Sequence, residues 1–173
     1  MRHLTPADYT SMPWANGRGR TIEMIRVNAA DGGLLWRLSM ASVMEDGPFS
    51  IFPGIERNLT VISGPGFDLI GDGRLHAAPL VPVAFAGDVP IAAAGVTDPS
   101  DDFNVMTARA LPRPFVQVLT AGEAVPPRGG FLCLFALAPA VVCGKALGLH
   151  DLLITDANAS ISAGQVITVG LLV

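Results

Sequence analysis

Glycine or proline interrupts this chain every few residues, with 19 glycines and 14 prolines among 173 positions. Glycine weakens helix interiors and proline removes a backbone donor, so a chain punctuated this densely has no room for long helices. Between the breaks lie short runs rich in Val, Ile, Leu and Phe, which read as strands. Eleven are expected, over residues 21–27, 34–43, 57–63, 67–70, 81–87, 89–95, 102–109, 115–120, 130–137, 151–155 and 165–173. The turn signals DGG (31–33), SGPG (63–66), GDG (71–73) and SAG (162–164) fall at hairpin distances. The pattern predicts an all-β barrel or sandwich. No charged linker, repeat or low-complexity tract divides the chain, so residues 1–173 are read as one compact domain, with two small packed sheets left open.

Half the residues are hydrophobic, enough for a core. Ten arginines stand against a single lysine, Lys145, and the net charge is -4. No basic stripe of the kind that neutralises phosphates is present, so no nucleic-acid partner is expected. The opening MRHLTPADYT lacks the basic-then-apolar order of a signal peptide, and a cytoplasmic protein is expected. The longest apolar stretch, Phe131 to Cys143, is too short to cross a bilayer and contains Pro139. It reads as core, with no membrane association. Both cysteines, Cys133 and Cys143, lie in that stretch without zinc-site spacing; buried free thiols are expected, a disulfide being the alternative.

Three stretches could carry chemistry. The first is PWANGRGRTIE, residues 13–23. A dinucleotide loop needs a third glycine and a following helix; Ile22 occupies that position and a strand pattern follows, so the phosphate reading fails. A plain turn at Asn16-Gly17 is one reading. A pocket rim is the other, since Trp14, Asn16, Arg18, Arg20 and Glu23 gather a ring, an amide and charges at a strand entrance.

The second spans residues 36–66. Alternation puts Trp36, Leu38 and Met40 on one face and Arg37 and Ser39 on the other. Arg37 either meets solvent or stands in an apolar cavity, where it needs an anionic partner. Arg57 shares the side of Leu59 and Val61, so Glu45, Asp46, Glu56 or a ligand carboxylate must satisfy it. The intervening DGPFSIFPG, with Phe52, suits a rigid apolar loop at a pocket mouth. In the third stretch, residues 101–109, Asn104 and Met106 share a face; the amide needs a cross-strand bond or a ligand. Phe85 precedes a turn at Asp88.

PWANGRGRTIEM, WRLSMASVMEDGPFSIFPGIERNLTVISGPG, VAFAGDVPI and DFNVMTAR, in this order and spacing, resemble the HutD/Ves family of bacterial cupin-like proteins. The match runs from about Met12 to Arg109 and is carried more weakly beyond Phe115 by GLHDLLITD (148–156). The resemblance implies a cupin-like (RmlC-like) jelly-roll barrel, as a bicupin with two small β-barrel halves in one chain. It implies a link to histidine utilisation, through binding of a pathway intermediate such as formylglutamate. The site it suggests has Arg37 or Arg57 clamping a small carboxylate, Asn16 and Asn104 orienting it, Trp14, Trp36, Phe52 and Phe85 as apolar walls, and Met106 beside Asn104. His3, His76 and His150 are scattered without an H-x-H pair, so neither a metal nor another cofactor is expected. A metal-free isomerase or lyase is the alternative, with Glu23 or Asp102 as acid or base. A homodimer is the protein partner left open.

Overall fold

The computed structural model describes residues 1–14 and 19–172. Asn16, with the rest of residues 15–18, lies outside the described residues. The chain falls into two compact units, one formed by Thr10–Ala110 and the other by Met1–Tyr9 together with Leu111–Val173.

In chain order the strands are β1 (Arg2–Leu4), β2 (Thr10–Pro13), β3 (Arg20–Asn28), β4 (Leu34–Val43), β5 (Gly47–Pro48), β6 (Ile55–Ser63), β7 (Phe67–Ile70), β8 (Arg74–Ala77), β9 (Val83–Ala86), β10 (Ala92–Ala94) and β11 (Ser100–Ala108). There follow β12 (Phe115–Leu119), β13 (Gly122–Ala124), β14 (Phe131–Ala136), β15 (Ala140–Val142), β16 (Lys145–Leu147), β17 (Leu152–Thr155), β18 (Ala159–Ala163) and β19 (Val166–Leu171). The protein is all-β; a short 3-10 turn, Pro6–Asp8, separates β1 from β2. All eleven expected strands are present, with ends trimmed or extended by a few residues. Eight further strands, β1, β2, β5, β8, β13, β15, β16 and β18, are short or lack an apolar run, so their pairing comes from the ladder rather than from a pattern of their own.

The unit formed by residues 10–110 has a six-stranded sheet, β2-β3-β4-β11-β6-β9, and a four-stranded sheet, β5-β10-β7-β8. Their apolar faces meet in a core where Leu59, Val61, Val43 and Phe85 from the larger sheet pack with Phe67, Leu69, Ala77 and Ala93 from the smaller. That is the sheet-on-sheet arrangement that alternating strands favour. The other unit repeats the plan, with a five-stranded sheet, β1-β17-β14-β19-β12, and a four-stranded one, β13-β18-β15-β16. Leu132, Leu134, Leu153 and Val166 meet Val142, Leu147, Ala159 and Ile161 between them. Among the described residues the two sheets of each unit remain separate ladders rather than one closed barrel.

Cys133 is buried in β14, as expected, and burial pushes its thiol up. Cys143 is not buried. It sits exposed at φ 51° beside Gly144 at φ 73°, in the two-residue turn joining β15 to β16. A tight hairpin needs two left-handed residues there, and the turn geometry outweighs the thiol's preference for the interior.

Candidate binding cavity

Strand β11 is central in its sheet, and register fixes what stands beside it. Met106 lies opposite Arg37 of β4 on one side and opposite Arg57 of β6 on the other. Asn104 lies between Ser39 and Leu59, and Asp102 between Ala41 and Val61. Side chains directly opposite across a ladder share a face, so Asp102, Asn104 and Met106 stand in a row on the face that carries both arginines. A β-bulge between Asp101 and Asp102 shifts the β6 register at the end of this row. Asp101 is held there by the hydroxyls of Ser42 (2.5 Å) and Ser63 (2.8 Å).

This face forms the floor of a cavity of about 530 Å³. The segment of residues 44–52, which includes β5 and carries Glu45, Asp46, Phe49 and Phe52, lines it, as do Trp14 and Thr21. Trp14 is fixed by its backbone N–H to Gly19 O (2.9 Å) and by its indole N–H to Thr21 Oγ1 (2.9 Å). Its ring lies where a side chain at 19 would be: a Cβ there would come within 2.9 Å of two ring carbons. Gly19 is therefore required by a close approach, which gives the Gly-rich stretch a packing role.

The two arginines are satisfied differently. Arg37 donates from Nε to Glu23 Oε2 at 2.6 Å, and its Nη1 lies 3.9 Å from Met106 Sδ. Arg57 does not pair with the expected Glu45, Asp46 or Glu56. Glu56 accepts from Arg109 (2.6 Å) and Asp46 from the Val96 N–H (2.8 Å), while Arg57 donates from Nη2 to the amide oxygen of Asn104 (2.9 Å). Arg57 Nε is buried without a hydrogen-bond partner. Three rings surround the guanidinium, with centroids 5.2 Å (Phe49), 5.6 Å (Phe52) and 5.0 Å (Phe85) from its central carbon. Aromatic faces attract a cation that water cannot reach. Desolvation nevertheless pushes Arg57 down to about 10, opposed by Asp102 and reinforced by Arg37; it remains cationic at neutral pH.

Asp102 is 1% exposed, and the Asn104 amide N–H donates to its Oδ1. Asn104 thus bridges Arg57 and Asp102, accepting from one and donating to the other. Burial is the main cause that pushes the Asp102 carboxyl up to about 7, with Arg57 pulling the other way.

Of the residues singled out from the sequence, the structure brings Trp14, Arg37, Phe52, Arg57, Asn104 and Met106 to this cavity. Trp36 is elsewhere. It is 5% exposed on the face of β4 opposite Arg37, as strand alternation requires, and does not line the cavity. Phe85 is buried and reaches the site only through its stack on Arg57. Sequence reading missed Phe49, which lies three residues before Phe52 in the same loop, and treated Asp102 only as a candidate acid or base. Period-two alternation from Asn104 puts Asp102 on its face. Among the described residues no three His, Cys, Asp or Glu side chains converge as metal ligands. His76 Nδ1 instead lies 2.9 Å from Asp68, and His3 Nε2 2.8 Å from Asp151. No helix among the described residues is long and apolar enough to cross a membrane.

The E. coli protein YlbA, at 12% identity, superposes with a TM-score of 0.65 over 98% of this chain and 90% of its own, and shares the fold alone, a cupin-like one. An uncharacterized 21.2 kDa protein in the hutC 3′ region of Pseudomonas putida is 34% identical over 166 residues, 90% of this chain and 86% of that protein. The structure of HutD from Pseudomonas fluorescens SBW25, in a formate condition, is 32% identical and superposes with a TM-score of 0.88 over 98% of this chain and 97% of that one. The HutD family model matches residues 6–168, a span that takes in every cavity residue named above, and the chain belongs to the HutD family.

Proposed function

We propose that this protein binds a small carboxylate of the formylglutamate kind in the cavity and moderates histidine utilisation in the cytoplasm without catalysing a reaction. One observation carries the reading: Arg57, a desolvated cation in a cage of three rings, is satisfied by an amide rather than by a carboxylate. A charge-assisted bond from a guanidinium to a ligand carboxylate is roughly twice as strong as one between neutral groups, and a mostly apolar wall sharpens that preference. Arg37, already paired with Glu23, orders the floor, and Trp14 and Phe52 supply apolar walls. The family membership, the curated relative beside hutC and the related structure solved in formate support the pathway link. In the same proposal each unit, with its two facing sheets, is one jelly-roll half of a bicupin.

Calorimetric titration with formate, glutamate, formylglutamate and urocanate tests the ligand class. Heat of binding with at least one is expected, and no heat with any at millimolar concentration overturns it.

A second reading has its own observation. A buried carboxyl held near neutrality in a cavity is suited to general acid–base work, so Asp102 could serve an isomerase or lyase. Turnover of a cavity ligand that is lost in Asp102→Asn would favour that reading over simple binding.

A further inference from the structure

Arg57 and Asp102 share one wall of the cavity and are bridged by a single side chain, Asn104. The other charges nearby are otherwise engaged. On β4 and β3, Arg37 is neutralised by Glu23. On β11 itself, Asp101 is held by Ser42 and Ser63. On the bordering loop, Asp46 accepts from a backbone N–H, and Glu45 has an interaction of its own. Among the described residues, the charges left to balance each other at the buried end of the cavity are chiefly Arg57 and Asp102, with Arg37 and Asp101 acting on them from further off.

We infer that Asp102 is the resident counter-ion of Arg57 and that a ligand carboxylate replaces it, so that wherever Asp102 is ionised each anion bound in the cavity is accompanied by uptake of one proton on Asp102. The inference rests on the carboxylate reading of the same cavity. Two carboxylates beside one guanidinium in a desolvated site repel each other, and the less costly state has one of them protonated. An exposed ligand carboxylate would keep its charge against Arg57, and the proton, drawn from solvent, would reside on the buried carboxyl of Asp102. Atoms and charge balance: anion and proton enter together, and the cavity's net charge does not change. Burial already holds Asp102 above the usual carboxylate range, and the charge of a bound anion raises it further.

Proton linkage makes the expected result quantitative. Formate affinity, measured by calorimetry between pH 5.5 and 8.5, should fall by about tenfold per pH unit at the alkaline end. Titrations of the unaltered protein at the alkaline end, in two buffers of different ionisation enthalpy, should show close to one proton taken up per formate bound. Asp102→Asn, a neutral stand-in for the protonated acid, should bind formate at every pH with the affinity that the unaltered protein shows at low pH, and without proton uptake. Binding with a flat pH profile and no proton uptake overturns the linkage while leaving the carboxylate site standing. Failure of formate and of the other carboxylates to bind at any pH overturns both. The buffer comparison needs no variant, so it decides the matter even if Asp102→Asn folds poorly.

Discussion

Arg37 and Arg57 face each other across Met106, one from each strand flanking β11, yet Arg37 is locked to the carboxylate of Glu23 and Arg57 to the amide of Asn104. The difference predicts opposite priorities for the two residues. Arg37→Ala strands a half-buried carboxylate and should cost about 3 kcal/mol of stability. Arg57→Ala removes a desolvated cation and leaves its counter-ion Asp102 a carboxyl that burial already favours in the protonated form, so at pH 6 it should cost clearly less while removing anion binding. Urea unfolding of both variants checks this; a larger loss for Arg57→Ala would contradict it.

Asp102 also predicts a pH signature in stability. Its folded-state pKa, about 7, lies above the usual value of 3.8, so the folded protein holds a proton that the unfolded chain gives up. Stability is therefore lost as pH rises from about 4 to about 7. Asp102→Asn removes this loss, so its melting temperature should gain on that of the unaltered protein as pH is raised from 5 to 8. Parallel curves across that range would show that Asp102 is an ordinary carboxylate.

Gly19 and Trp14 give a prediction about the cavity edge. Gly19→Ala would push a methyl group into the Trp14 ring and break the seat that Thr21 and the backbone provide. A shift in tryptophan fluorescence is expected, with formate binding weakened by a few-fold because the floor around Arg57 is untouched. Unchanged fluorescence would mean that the ring does not rest on Gly19.

The cysteines separate cleanly by environment. A thiol reagent should label Cys143 alone in the native protein and Cys133 as well after denaturation. Cys143→Asn or Cys143→Gly should stabilise the fold by a few tenths to about 1 kcal/mol, since either residue tolerates the left-handed turn better. Loss of stability on Cys143→Gly would contradict the turn assignment.

The face carrying Arg37, Asn104, Met106 and Arg57 was legible in the sequence because strand alternation is a strict period of two, and the same rule places Trp36 on the wrong side for a cavity residue. What alternation cannot convey is which strands become neighbours. The bond from Arg57 to Asn104 spans 47 positions and exists because β6 and β11 pair, so a sequence-local search for its partner turned to Glu45, Asp46 and Glu56. The aromatic cage was visible in part: Phe52 and Phe85 stood out, while Phe49 joins it through loop geometry. Strands such as β13 (GEA), β16 (KAL) and β18 (ASISA) carry at most one large apolar residue each and so leave no apolar run; their partners define them. The HutD resemblance was carried mainly by the segments that line the cavity.

Arg57 as the anion-binding group of this cavity is put to the test by titrating formate and formylglutamate into the unaltered protein and into Arg57→Ala, side by side at pH 6. Binding to the unaltered protein is expected, with a loss of at least about tenfold in the variant, the least for a charged hydrogen bond removed from a dry site. Equal affinity in the two proteins would contradict it.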